Sequence, residues 1–214
     1  MLVLCLSGVG LADATPSPSS SDPDTTRHAL FERLLNRHVD AQGDVDYAAL
    51  RAQSDSLLAP YLQTLAHTRP STLGQDARLA LWINAYNAYT LKLIVDHYPV
   101  QSIRDIDGPP GGGTPFERPV GRVADTMRTL DEIEHGIIRE RFDEPRIHFA
   151  LVCAAKSCPR LRREPYTGPR LDAQLDHQAR RFLHHEQKNR IPAGDGFIAL
   201  SRILKWYGSD FGPT

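Results

Sequence analysis

Asp76 to Pro99, DARLALWINAYNAYTLKLIVDHYP, is the stretch that most restricts what this chain can become. Hydrophobic side chains occupy most of the circumference of the helix it predicts. Such a helix has no face to offer to water, so it must run through the middle of a domain with other elements packed around it. Pro99 ends it. Two amides, Asn84 and Asn87, sit three residues apart on it among Trp82, Tyr86 and Tyr89. A buried amide without a partner costs about 1–3 kcal/mol. The pair therefore either clamps the backbone of a neighbouring loop or serves in substrate binding, as donors to an oxyanion or a carbonyl.

The other segments supply the packing. Leu30, Leu34 and Leu35 form one stripe of a helix that begins near Thr26, stops at Gly43 and is followed by a short extended piece, Val45 to Leu50. A second helix, Ser54 to His67, turns Leu57, Leu58, Tyr61, Leu62 and Leu65 inward. Ser102 to Ile106 reads as a short strand or turn. The Gly/Pro-rich stretch Gly108 to Pro119 lacks the residue order of a phosphate-binding loop and reads as a lid or connector. Val120 to Arg128 predicts a hairpin, and Thr129 with Glu132 matches a capping box that opens a helix from Leu130 to Phe142. Arg146 to Val152 predicts a buried strand. Arg170 to Gln187 predicts an amphipathic helix with Leu171, Leu175, Ala179, Phe182 and Leu183 inward. Ile191 to Leu200 is strand-like, and Ser201 to Phe211 packs Ile203, Leu204, Trp206 and Phe211. No repeat is visible. The expectation is an α+β domain over residues 27–214, mostly helical, with a small sheet and a strand-loop-helix carrying two cysteines.

The opening MLVLCLSGVGLADA (1–14) reads as a signal peptide with a truncated start, because an apolar run ends in Ala12-Asp13-Ala14 but no basic residue precedes it. Lipid attachment at Cys5 is the weaker reading, since Leu2-Val3-Leu4 makes a poor lipobox. Residues 15–26, rich in Pro, Ser and Asp, read as a disordered linker. A periplasmic or secreted location follows, with no integral membrane segment in the mature chain. Removal of Asp13 leaves 25 basic against 25 acidic residues, a net charge of zero. Nothing there draws the chain to nucleic acid.

The residues that could carry chemistry cluster in Arg146 to Arg162, RIHFALVCAAKSCPRLR. Pro159 directly after Cys158 would place that thiol at a helix N-cap, where free amides favour a thiolate. Cys158 is thus the candidate nucleophile, with Cys153 its rival or its disulfide partner. Candidate bases are His135, whose i+3 and i+7 neighbours Ile138 and Phe142 suggest an apolar surrounding, and His148, which alternates with Ala150 and Val152. Glu134 could orient either ring. The bland readings are a disulfide closing a small loop, a satisfied core histidine and a solvated acid. A redox pair fits less well without C-x-x-C spacing. His177, His184 and His185 lack the pairing of a zinc site, so neither metal nor cofactor is expected.

In one order, the pieces GDVDYAAL (43–50), LALWINAYNAYTLKLI (79–94), SIRDI (102–106), LDEIEHGIIR (130–139), RIHFALVCAAKSCPRLRREPY (146–166) and SRILKWYGSDF (201–211) resemble the family catalogued as domain of unknown function 547. The resemblance implies an exported bacterial protein and a cysteine-dependent hydrolase, mapped here onto Cys158 or Cys153 with His135, Glu134 or His148. This chain departs from the pattern in having Val152 where many bacterial members carry Asn and in a diverged Val123-Ala124-Asp125, and a chain cut short just after Phe211 is expected. The expected function is hydrolysis of an ester, thioester or amide bond in a small-molecule or peptide-like substrate. The alternative is a binding or scaffold domain stapled by a Cys153–Cys158 disulfide.

Overall fold

A computed structural model describes residues 22–155, 158–190 and 196–212. The 1–14 segment, most of the 15–26 linker, the tip residues 156–157 and most of the Ile191–Leu200 stretch's first half lie outside them. The fold is α+β, mostly helical with one small antiparallel sheet.

Helix α1 spans Pro23–His38, not Thr26 onward. Asp22 caps it by accepting from the amides of Asp24 and Thr25, and Pro23 fits the first turn, where no amide is needed. Phe31, Leu34 and Leu35 bury its inner stripe. Helix α2, Tyr47–His67, likewise starts earlier than its apolar periodicity suggests. The Asp46 carboxylate takes the Ala49 amide at 2.9 Å, so the cap, and not the first leucine, sets the boundary.

Helix α3, Gln75–His97, is the central element. Every side chain from Leu79 to Leu91 is buried, and one continuous core joins it to α1, α2 and the later segments. Strands β1 (Pro119–Val123) and β2 (Thr126–Thr129) form the hairpin, paired Val123 to Thr126 and Arg122 to Met127, with a bulge between Pro119 and Gly121. Its turn residues Ala124 and Asp125 have φ of 53° and 58°, a conformation that suits a tight hairpin. Their amides donate to the last carbonyls of α2, Leu65 at 3.1 Å and Ala66 at 2.6 Å. That docking offsets the strain of an alanine in the left-handed region and caps α2 at once.

Two segments differ from expectation. Thr129 and Glu132 form the reciprocal capping bonds, but the coil that follows, Glu132–Ile138, is a π-helix, leading into the short α4, Arg139–Arg141. Arg146 to Val152 is not a strand. Pro145–Phe149 is a 3₁₀ turn, and the chain beyond it has no regular secondary structure. Its apolar residues, Ile147, Phe149, Ala150 and Leu151, are buried because the turn lies against the core, where a continuous apolar run serves as well as in a sheet. Helix α5, Leu171–Leu183, and the short α6, Arg202–Trp206, complete the chain, with a 3₁₀ turn at Gly208–Phe211. Arg190 and Ala199 form an isolated antiparallel bridge. Trp206, expected inside, is 58% exposed. No helix among the described residues is long and apolar enough to cross a membrane.

Candidate functional site

The two amides of α3 face outward from the core axis onto loop backbone. Asn84 donates to the Tyr166 carbonyl at 2.7 Å and accepts from the Tyr166 amide at 2.9 Å. Asn87 does the same for the turn after His148, donating to Ala150 at 3.0 Å and accepting from the Val152 amide at 2.9 Å. Each side chain thus replaces the strand neighbour that this irregular backbone lacks. Both are buried, so each of these bonds is costly to lose.

Between the two clamps runs the cysteine loop. Cys153 and Cys158 form a disulfide, with their Cα atoms 5.9 Å apart. Ala154 turns the chain with φ of 51°, and the Cys158 amide donates to the Ala155 carbonyl at 2.9 Å. Cys158 is buried, at 6% exposure, and Lys188 donates to its carbonyl. No helix follows Pro159. The backbone beyond it is irregular, with Gln178 holding the Arg160 carbonyl and Gly43 close against Leu161, so no helix dipole acts on Cys158.

The histidines and Glu134 gather elsewhere on the same face of the core. His148 stacks on Tyr207, with ring centroids 3.8 Å apart, and its Nε2 donates to Asp210 at 2.8 Å. Arg139 grips the same carboxylate with two bonds of 2.7 Å. Tyr207 donates to Glu134 at 2.8 Å. Arg139 also donates to His135 Nδ1 at 3.0 Å, and since a guanidinium only donates, the proton of neutral His135 sits on Nε2, facing Asp131 at 3.7 Å. His135 is half exposed instead of facing Ile138 and Phe142. A π-turn closes on the fifth residue, as in the Arg139 amide to Glu134 carbonyl bond, so the 3.6-residue phase fails there.

The electrostatics follow from these contacts. The Arg139 guanidinium holds the Asp210 carboxyl far below the usual carboxylate range. Burial lowers His148, although Asp210 and Glu134 work the other way, so its ring is neutral at neutral pH. Burial and then the neighbouring Glu134 raise both Tyr86 and Tyr207, which keeps their hydroxyls protonated as donors.

The structure therefore brings Glu134, His135 and His148 into one network through Arg139, Tyr207 and Asp210, and among the described residues no side-chain bond ties Cys153, Cys158, Asn84 or Asn87 into it. Among the described residues, no hydrogen bond or ring contact joins either imidazole to either sulfur. The sequence reading passed over Arg139, Tyr207 and Asp210. No local pattern marked them, because Ser201 to Phe211 also carries Arg202, Lys205 and Ser209 among its apolar residues. A separate cleft of about 300 Å³ beside Arg146 is lined by Asp76, Asp143, Glu144 and Asp172. Arg146 itself is taken up by Glu144, Asp172 and Asp176. Among the described residues no group of three or more potential metal ligands converges.

Neither a curated protein nor a solved structure matches this sequence. The sequence pattern of one family, described as a protein of unknown function, DUF547, matches residues 70–183, just over half of the chain. That span takes in α3, the hairpin, the π-helix, the cysteine loop and α5, and on this match the chain belongs to the DUF547 family.

Proposed function

We propose that this is an exported binding domain that presents the Cys153–Cys158 loop, held at both flanks, as a recognition element for a small-molecule or peptide-like ligand. One observation carries the reading: Cys158 is bonded to Cys153 and buried, and among the described residues no hydrogen bond joins it to an imidazole. A sulfur in a disulfide has no thiolate to attack with. The amides that a hydrolase would aim at an oxyanion are spent on Tyr166, Ala150 and Val152. Both flanks of the loop are thereby fixed before any ligand arrives, which reduces the ordering cost of binding.

The second reading, a thiol hydrolase acting on an ester, thioester or amide, draws support from the His148–Asp210 couple. A neutral imidazole oriented by a carboxylate is what a general base requires. In that version an external thiol reductant frees Cys158, which would add to the carbonyl carbon as His148 takes its proton and returns it to the departing alcohol, thiol or amine, after which water would release the acyl group from Cys158. Cys153 would act as the redox partner, and Glu134 would hold the second ring face through Tyr207.

One experiment separates the two. The chain is secreted into a bacterial periplasm, alkylated before any reductant is added, and weighed by mass spectrometry. The binding reading expects an unalkylated product lighter than the reduced chain by two hydrogens, and no turnover of p-nitrophenyl esters with or without reductant. A free, alkylatable Cys158, together with reductant-dependent turnover that Cys158→Ala abolishes, would overturn it in favour of the hydrolase.

A further inference from the structure

Beside the cysteine loop, cations crowd together. Arg160, Arg181 and Lys188, with Gln178, Phe182 and His185, line a notch of about 10 Å³, roughly the volume needed by one oxygen-sized atom. Arg160 has a carboxylate partner in Asp44. Among the described residues, Arg181 and Lys188 form no ion pair. Arg181 donates to the Ala41 and Gln42 carbonyls at 3.0 and 2.7 Å, and Lys188 donates to the Cys158 carbonyl and lies 5.3 Å over the Phe182 ring. Carbonyls and a ring face satisfy the donors without neutralising the charge. Arg162, whose charge acts on Arg181, has a buried Nε donor without a partner.

We infer that this notch is a binding site for a phosphate group, free or as a monoester, held by Arg160, Arg181 and Lys188. Several donors of fixed geometry around one point suit a tetrahedral oxyanion, which presents oxygens in several directions, better than they suit a single carboxylate. Arg160, Arg181 and Lys188 all line the notch, so an oxygen there would lie among three cationic side chains. The cations already press on one another: burial, then Arg160 and Arg181, lower Lys188 to about 8, and burial with Arg160 and Arg162 lowers Arg181. An anion would relieve that repulsion. Asp40 and Asp44 lie on the same side and limit the excess charge, which favours a single phosphate over a polyanion. The site does not depend on whether the loop's sulfurs are bonded, because none of its groups is a sulfur.

Titration calorimetry of the full chain at low ionic strength, with inorganic phosphate in one series and phenyl phosphate in the other, tests this. The expected result is saturable binding in at least one series, weakened roughly tenfold or more in both Lys188→Gln and Arg181→Gln. The series that binds tells free phosphate from a monoester. Should a glutamine variant lose its helical circular dichroism, Arg181→Lys retains the charge but not the planar fork, and its binding is expected to weaken while the chain stays folded. Absence of saturable heat in both series, or equal affinity in wild type and the folded variants, overturns the site.

Discussion

His28 shows how much one buried ring can determine. Its side chain is fully enclosed, its Nδ1 meets the Tyr61 hydroxyl at 2.7 Å, and its Nε2 has no hydrogen-bond partner. Burial, then Arg27, lowers it to about 3. In the unfolded chain the ring takes a proton near the ordinary histidine value, so below that value the unfolded state binds more protons than the folded one. Stability is therefore complete above about pH 6.5 and falls as the pH drops toward 3. At pH 5 the His28 contribution to the loss is about 2 kcal/mol. His38 and His148, also lowered by burial, act in the same direction, whereas Asp24, raised by burial, opposes them at the acid end. Urea denaturation at pH 7.5 and pH 5.0 reads the effect. In His28→Gln, which can still accept from Tyr61, the difference is expected to shrink by about that 2 kcal/mol. Equal stability of the wild type at the two pH values would refute the account.

Among the elements, α3 acts as both core and scaffold, and Asn87 is the link between the two roles. It stitches α3 to backbone 63 and 65 residues away. Asn87→Ala leaves the buried Ala150 carbonyl and the Val152 amide without partners, and a loss of about 2–4 kcal/mol is expected in chemical denaturation. Asn87→Asp retains only the acceptor, so it keeps the Val152 bond, sets a carboxylate against the Ala150 carbonyl, and should lose at least as much. A change below about 0.5 kcal/mol in both variants would mean that the loop holds itself. The apolar run of α3 announced a central helix, and a clamp was one of two roles open to its amides. The π-helix had no such signature. Its capping box is a local pattern and was legible in Thr129 and Glu132, but the extra residue per turn comes from how Ile133, Ile137 and Ile138 seat in the core. That phase shift turns His135 outward. Arg146 to Val152 failed for a related reason: burial makes a 3₁₀ turn as apolar as a strand, and composition cannot separate the two.

For the whole molecule, the family match begins at residue 70, after α1 and α2, yet Phe31, Leu34, Leu35, Tyr61 and Leu65 belong to the same core as α3. Each fully buried side chain of this size contributes about 1.5–3 kcal/mol, so together they rival the roughly 5–15 kcal/mol that stabilises a domain. A fragment of residues 70–183 is therefore expected to unfold without a cooperative transition and to bind a hydrophobic dye, whereas residues 22–214 melt cooperatively. A sharp melt of the fragment would show that the family's core is self-sufficient. The sequence alone marked the long helices, the central place of one of them, where the hairpin falls and which cysteines could pair, because periodicity, caps and turns act over a few neighbouring residues. Only the tertiary structure decided that Asp210 reaches Arg139 and His148, 71 and 62 residues away, and that the imidazoles join that network and not the sulfurs. Contacts of that span depend on how the helices seat against one another, and no local preference encodes the seating.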